Sequence, residues 1–370
     1  MKRKKIGVVG ATGSVGTQGV KVILANKDKF EPVFITAHSN NRGLEEAKAV
    51  LGAKYSMLTQ DKDAHKKITD IIAQENVDIV LFAASGVSVL SLVYDIIDCG
   101  VNIALANKES IVTAGKIIMD YARAKGVTIT PVDSEHSAIF QCLMGQDKRD
   151  IEKIVLTASG GPFVNRPGDA FGYVIPEEAL KHPTWGMGNK ITIDSATMMN
   201  KGLELIEARY LFNISPEKLE AIIHPESIVH SYVSFNDGSV IAQMGTPDMK
   251  IPIAFALGYP ERIPSLAKPL NLWEIGRLSF FKPDLSKFKC LDIALKVLKS
   301  DSNAQMTIMN AANETAVMAF LKGEIEFDTI PAVIEEVLSK SDIKDAETVA
   351  EAMENIRKSN ELALKSIRKK

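Results

Sequence analysis

Short β-rich runs alternate with helical stretches through the first third of the chain. The runs KIGVVG, PVFITA, VDIVLFAAS, VNIALAN and VTITPVD are separated by GTQGVKVILANKDKF, GLEEAKAVLGA, AHKKITDIIAQE, SVLSLVYDIIDCG and AGKIIMDYARAKG. That rhythm predicts strand–helix–strand crossovers and a parallel sheet covered by helices. From about residue 150 to 258 the pattern changes. IEKIVLTAS, KITIDSA and EAIIHPESIVHSYVSFNDGSVIAQMG are expected to contain strands, the last pair joined by NDGS, a hairpin signal. A mixed α+β domain fits this segment. Closely spaced prolines in residues 259–285 predict a connection draped over the surface. Beyond it, CLDIALKVLK, NAQMTIMNAANETAVMAFLKG, IPAVIEEVLSK and AETVAEAMENIRKSNELALKSIRKK have helical period and predict a small α-helical domain. The expected segments are 1–133, 134–258, a linker at 259–285, and 286–370.

Composition narrows the class. A chain of 370 residues that is 46% hydrophobic and 24% charged has the make-up of a globular protein of two or three domains. Its formal net charge of −2 and the absence of a basic stripe argue against a nucleic-acid partner, and KRKK at residues 2–5 reads as a solubilising start before the first strand. No apolar run approaches the roughly 20 residues of a membrane span, and the N-terminus carries no secretory pattern, so the cytoplasm is expected. Cys99, Cys142 and Cys290 are far apart without metal-ligand spacing and read as reduced core thiols.

VVGATGSVG places Gly10, Gly13 and Gly16 between the first strand and the first helix. Glycines there permit a tight turn and bring backbone N–H groups at a helix N-terminus up to a pyrophosphate, the signature of a Rossmann-like dinucleotide site. The second strand ends in ITAHSNNRG, with no Asp or Glu to take the ribose hydroxyls of NAD. Hydroxyl, amide and basic donors at Ser39, Asn40, Asn41 and Arg42 suit a 2′-phosphate instead, so NADP is favoured. His38 fits equally as a phosphate contact and as an exposed loop histidine.

TPVDSEH, residues 130–136, follows a β-type run. Asp133 and Glu135 are therefore expected where a strand runs out into a loop, with alternate side chains on one side. About 4 Å apart, two ionised carboxylates would repel by roughly 4 kcal/mol at an effective dielectric near 20. A shared proton, a basic partner or a metal ion must relieve that. His136 should point the other way and is read as structural. Farther on, Ser195 precedes a helix on which Asn200, Lys201 and Glu204 share a face. Lys201 and Glu204 alone fit an ordinary i,i+3 ion pair on a solvated helix. TASGGPF adds Ser159, Gly160 and Gly161 after a strand, a turn suited to an anion. KHPTWGMGNK, residues 181–190, gathers His182, Trp185 and Met187 between glycines as a candidate lid, with Trp185 as a core anchor the plainer alternative. Hydroxyl, amide and ammonium donors suit a phosphorylated substrate. Three carboxylates, Asp133, Glu135 and Glu204, suit a hard cation such as Mg²⁺ or Mn²⁺, whereas zinc lacks a Cys/His set.

GATGSVG, ANKES, PVDSEHSAIFQ, ASGGPF, HPTWGMGNKITIDSATMMNKGLE and QMGTPDMKIPI occur in one order, and together the chain resembles the 1-deoxy-D-xylulose 5-phosphate reductoisomerases of non-mevalonate isoprenoid biosynthesis. The resemblance spans nearly the whole chain. It implies an NADPH-dependent oxidoreductase that isomerises and reduces 1-deoxy-D-xylulose 5-phosphate to 2-C-methyl-D-erythritol 4-phosphate, as a homodimer. It assigns 1–133 to NADPH binding and 134–258 to catalysis and dimerisation. Thr12, Gly13, Ser14 and Val15 match the cofactor loop. His38, Ser39 and Asn40 match the segment near the adenosine ribose, and Asn107, Glu109 and Gly188 match positions near the rest of NADPH. Asp133, Glu135 and Glu204 match the metal ligands. Lys108, Ser134, Ser159, His182, Ser195, Asn200 and Lys201 match substrate contacts, and Trp185 and Met187 match the covering lid. Two departures bear on cofactor-side packing: residues 59–85 are short of a loop of some twenty residues, and FAASGVSV replaces a Gly-Ala-Ala-Gly type of sequence. An NADP-dependent sugar-phosphate dehydrogenase without rearrangement and a non-catalytic dinucleotide sensor share the glycine loop, but neither needs the acidic trio.

Overall fold

A computed structural model describes residues 2–182 and 185–369. Along the first part of the chain run β1 (Lys4–Val9), α1 (Ser14–Ala25), β2 (Phe30–Ala37), α2 (Asn41–Leu51), β3 (Tyr55–Leu58), α3 (Ala64–Glu75), β4 (Ile79–Phe82), α4 (Leu90–Asp98), β5 (Asn102–Leu105), α5 (Lys108–Ala124), β6 (Ile129–Pro131) and α6 (Ser134–Leu143). The strands form one parallel sheet in the order β3-β2-β1-β4-β5-β6. The order reverses between β1 and β4, and in open α/β sheets ligands bind at the carboxyl ends of the strands at such a switch point. All four residues of β4 are buried, as expected of a strand covered on both faces. The short edge strand β3, half-buried throughout, has no counterpart in the expected pattern.

Then follow β7 (Ile151–Ala158), α7 (Pro176–Ala179), α8 (Asn189–Ala196), α9 (Met199–Leu211), β8 (Leu219–Ile223), β9 (Val229–Phe235), β10 (Val240–Met244), α10 (Lys250–Gly258), α11 (Leu272–Ile275), α12 (Lys289–Ser300), α13 (Asn303–Leu321), α14 (Thr329–Lys340) and α15 (Val349–Ile367). The second sheet is mixed, β10-β9-β7-β8. Its β7 and β8 are parallel, while β9 pairs antiparallel with β7 and β10. Asn236–Ser239 closes the expected hairpin between β9 and β10. KITIDSA, expected as a strand, is instead most of α8. Its I-T-I alternation also places Thr192, Ile193 and Ala196 on one buried helical side, and packing against α13 decides between the two periods.

Contacts divide the chain into two compact units, one comprising residues up to Ser110 with Ile118–Phe140 and Asp248–Pro269, the other Ile111–Ile117, Gln141–Pro247 and everything from Leu270. These boundaries differ from the expected cuts at 133 and 258 for a physical reason. Ile253, Ala254 and Leu257 of α10 enter the same core as Val22 and Ile23 of α1 and Ile6, Val8 and Leu81 of the sheet. Lys4 Nζ caps the end of α10, donating to the carbonyls of Leu257, Gly258 and Tyr259 at 3.4, 3.3 and 2.9 Å. In the second unit α13 is buried nearly all round, packed by α12, α14 and α15. Among the described residues no helix is long and apolar enough to cross a membrane.

Candidate active site

In the first unit the chain leaves β1 through Gly10, whose φ of +86° is a left-handed conformation. Gly10 and Ala11 N–H groups both donate to Thr36 O. A Cβ on Gly16 would lie 2.0 Å from Gly10 O, so only glycine lets α1 start this close to the turn. Gly13 caps α1 without a side-chain bond, and Gly13 and Ser14 are exposed while Thr12 and Val15 are half-buried. The first-turn N–H groups of a helix have no partner within it and form a cradle for an anion. A tight glycine turn feeding a helix N-terminus, at the switch point of the sheet, fits a dinucleotide pyrophosphate.

At the end of β2, His38, Ser39 and Asn40 are exposed. His38 Nδ1 lies 3.4 Å from Thr59 Oγ1. Asn40 caps α2, its Oδ1 accepting from Gly43 N–H at 3.0 Å. Arg42 Nε reaches Glu46 Oε1 at 3.0 Å with a side chain 91% exposed. No carboxylate stands at the strand end itself. Asn107 is fully buried and caps α5. Its Oδ1 accepts from Ser110 N–H, and its Nδ2 donates to Ala84 O, Gly86 O and Glu109 Oε2 at 3.1, 3.0 and 3.2 Å. It thus ties the start of α5 to the loop after β4.

That cap sets Lys108, 6% exposed, at the first turn of α5, where its Nζ stands 2.6 Å from Asp133 Oδ2. Asp133 and Glu135 bring carboxylate oxygens within 4.8 Å of each other. Asp133 stands in the loop after β6 as expected, but the expectation for Glu135 needs correction. Glu135 lies in the first turn of α6, its N–H 3.3 Å from Asp133 Oδ1, and Ser134 Oγ donates to Glu135 Oε2 at 2.6 Å. Carboxylates in a first turn oppose the positive end of the helix dipole. His136 is corrected with it: a helical turn brings the buried ring back to the acidic pair, with Nδ1 3.3 Å from Asp133 Oδ1. Burial alone would push the Asp133 carboxyl up, but the Lys108 ammonium and His136 outweigh it and hold the group well below its ordinary value. Lys108 and His136 therefore relieve Asp133 and keep it ionised, and the all-oxygen donors of the pair fit a hard divalent cation.

In the second unit, Glu204 is 1% exposed and accepts from Asn200 Nδ2 at 2.5 Å and from Lys201 Nζ, which is also buried. Burial excludes the solvated ion pair and leaves a charged cluster on α9. Ser159 follows β7, and Gly160 and Gly161 both have positive φ, +83° and +65°. The Gly161 N–H is not offered outward, because it donates to Ser159 Oγ at 3.2 Å. His182 Nε2 is 3.1 Å from the same hydroxyl, and His182 Nδ1 accepts from Trp185 N–H at 2.9 Å. A backbone N–H can only donate, so the neutral ring carries its proton on Nε2 and donates it to Ser159. With both of these donors on Oγ, the Ser159 hydroxyl proton is the group left to donate to an anion. Ser195 lies inside α8, one turn before α9, and is half-buried. Gly188 caps α8 and accepts from Thr192 N–H and Oγ1 at 3.1 and 2.9 Å. Trp185 and Met187 are half-buried in a segment without helix or strand, and the Trp185 ring lies 6.2 Å from that of His230. Pro183 and Thr184 of the expected lid lie outside the described residues. His230, a buried residue of β9 near the Trp185 ring, is one that the sequence pattern does not single out.

Burial lowers both His182 and His230 to about 4. Folded, they bind protons less readily than unfolded, so the stability present above pH 6.5 is lost as pH falls toward about 4. We expect the Tm of the metal-free protein to fall across this window, and to fall less steeply in His230→Phe. Equal slopes by calorimetry would mean that burial of His230 does not set its titration.

A dinucleotide cradle in one unit, with a carboxylate pair of which Asp133 is held ionised by a lysine, and a buried charged cluster and anion donors in the other, define a dinucleotide-dependent, metal-type oxidoreductase. Family models match in three stretches: the NAD binding domain of semialdehyde dehydrogenases over residues 5–108, the 1-deoxy-D-xylulose 5-phosphate reductoisomerase C-terminal domain over 129–212, and the DXP reductoisomerase C-terminal domain over 244–361. The 1-deoxy-D-xylulose 5-phosphate reductoisomerase of Geobacter metallireducens is 47% identical, over 90% of each chain. The reductoisomerase of Zymomonas mobilis solved with NADPH is 36% identical, with a TM-score of 0.89 and 99% of each chain covered. A DOX-P reductoisomerase solved with NADPH, fosmidomycin and magnesium is 35% identical, with a TM-score of 0.91 over 99% of this chain and 98% of that one. The chain belongs to the 1-deoxy-D-xylulose 5-phosphate reductoisomerase family.

Proposed function

We infer that this protein converts 1-deoxy-D-xylulose 5-phosphate and NADPH to 2-C-methyl-D-erythritol 4-phosphate and NADP⁺, with Mg²⁺ as the metal. The observation that carries this reading is similarity along the whole chain to a reductoisomerase holding NADPH, fosmidomycin and magnesium. Asp133, Glu135 and Glu204 would hold the cation. Bound there, it supplies Lewis-acid polarisation of the substrate ketone and its neighbouring hydroxyl. Lys108 donates to the oxygen on which charge develops, and Ser134, whose hydroxyl bonds Glu135, contacts the substrate beside it. Ser159, His182, Ser195, Asn200 and Lys201 hold the phosphate, fixing the carbon chain while the skeleton rearranges to a branched aldehyde that takes the hydride. Thr12, Gly13, Ser14 and Val15 hold the pyrophosphate, and His38, Ser39 and Asn40 the 2′-phosphate. Asn107, Glu109 and Gly188 would lie near the rest of NADPH, Asn107 acting through the cap that sets the start of α5. Purified protein with NADPH, Mg²⁺ or Mn²⁺ and the substrate should consume NADPH and yield the branched product. NADPH loss with an unrearranged product would favour the plain dehydrogenase.

Preference for NADPH over NADH in kcat/KM follows from the missing strand-end carboxylate. Ser39→Asp should narrow that ratio by at least about tenfold through repulsion of the 2′-phosphate. An unchanged ratio would remove Ser39 from the phosphate contact.

Trp185 and Met187 form the lid of this proposal. Trp185→Ala should weaken fosmidomycin binding and lower kcat/KM by about tenfold while Mg²⁺ affinity stays. A fluorescence titration of inhibitor binding, with Trp273 as a constant emitter, decides; wild-type affinity in the variant would make Trp185 a packing residue.

A homodimer is part of the reading. The edge strand β10 exposes Val240 and Ile241, and an exposed, apolar edge strand can pair with a second chain. Light scattering should give twice the chain mass. We also place the protein in the cytoplasm. All three cysteines are free, and burial pushes Cys142 up to about 11 and Cys290 up to about 12, which keeps them as inert thiols.

A further inference from the structure

Asp194 and Ser195 are neighbours on α8 that face different ways. Consecutive side chains on an α-helix are about 100° apart. Ser195 is half-buried, whereas Asp194 is 1% exposed, turned into the second unit. Its Oδ2 accepts from Lys190 Nζ at 2.8 Å, one turn earlier on the same helix. Its Oδ1 accepts from Asn313 Nδ2 at 2.8 Å, and Asn313 is fully buried on α13.

α8 has little of its own to hold it. It is eight residues long, has no side-chain cap, and carries Ile191, Thr192 and Ile193, a β-branched run with modest helix propensity. Its rotation is therefore set from outside, and Asp194 is where α13 grips it. Two features of the phosphate end depend on that rotation. Gly161, in the turn that carries Ser159, packs against the backbone of α8 so closely that a Cβ there would lie 2.6 Å from Ser195 O. Lys190, the other arm of the carboxylate, follows two residues after Gly188, where the segment carrying Trp185 and Met187 enters the helix.

We propose that Asp194 is a positioning residue for the substrate phosphate: through Asn313 and Lys190 it fixes the rotation of α8, which presents Ser195 beside the Ser159 turn and roots the lid. This rests on the reading of Ser195 as a phosphate contact. Asp194 itself touches no substrate. It acts by keeping one hydroxyl and one loop end in register with the turn after β7.

The test is steady-state kinetics of the full-length enzyme with Asp194→Asn, Ser195→Ala and the double variant Asp194→Asn/Asn313→Asp, each checked by circular dichroism and thermal melting. Ser195→Ala should raise KM for the phosphorylated substrate. Asp194→Asn should raise it at least about tenfold with kcat within about threefold and NADPH affinity unchanged, since a misplaced donor loses binding geometry. The double variant returns one carboxylate to the pair with the roles reversed and should recover most of the KM. A merely structural Asp194 would lower the amount of active protein and leave KM alone. Should Asp194→Asn not fold, Lys190→Met removes only the partly exposed arm and should still raise KM. An unchanged KM in Asp194→Asn, or in Lys190→Met if that variant has to stand in, overturns the proposal provided Ser195→Ala raises KM. An unchanged KM in Ser195→Ala instead overturns the reading of Ser195, and the proposal with it.

Discussion

Glu204→Gln is expected to lower turnover by about three orders of magnitude, or roughly 4 kcal/mol of barrier, while leaving NADPH binding intact. The carboxylate has two jobs in the proposed site. It supplies one of three negative charges to the cation, and it balances the buried ammonium of Lys201. An amide of the same shape keeps the volume but does neither, and a buried lysine without its anion costs about 3–5 kcal/mol of stability. Both Mg²⁺ affinity by calorimetry and Tm should therefore fall together. The glycine cradle lies in the other unit and shares no side chain with Glu204, so cofactor affinity should not move. Near-normal turnover in a folded variant would remove Glu204 from the metal site and end the three-carboxylate reading.

Lys108→Met should give a different signature. Methionine keeps most of the aliphatic stem in a position only 6% exposed, so the packing should hold, but Asp133 loses its ammonium and the Tm of the metal-free protein should fall. The donor to the developing oxyanion is lost, and kcat should fall about 10²–10³-fold, the usual cost of removing such a group. Lys108 also competes with a cation for Asp133, its Nζ standing 2.6 Å from Oδ2. Its removal should leave Mg²⁺ affinity equal or higher, the opposite of Glu204→Gln. A variant that loses metal affinity along with turnover would mean that Lys108 organises the acidic pair and takes no part in catalysis.

The long periodic elements were legible in the chain because their signals are local. The strand–helix rhythm, the glycine turn, the NDGS hairpin and the four C-terminal helices each rest on residues within one turn or one strand of each other. Other features were misread where a local pattern fits two periods. KITIDSA alternates like a strand and is helical. Glu135 was expected in a loop, yet it opens α6, and the same helical turn swings His136 back to Asp133. Asn40 and Asn107 also cap α2 and α5, a backbone role that the pattern of an Asn ahead of a helix carries beside any cofactor contact.

By itself the sequence determined the two sheet types, the place of the dinucleotide cradle, the absence of a strand-end acid, and the residue types that a phosphorylated substrate and a hard cation require. These are matters of period, turn chemistry and side-chain charge. Only the tertiary structure decided which polar groups are already engaged. Lys108 is held by Asp133, Lys201 by Glu204, Gly161 N–H by Ser159, and Asp194 by an asparagine 119 residues away on α13. Burial makes each of those pairings compulsory, because a polar group removed from water must find a partner, and that partner is set by packing between segments distant in the chain.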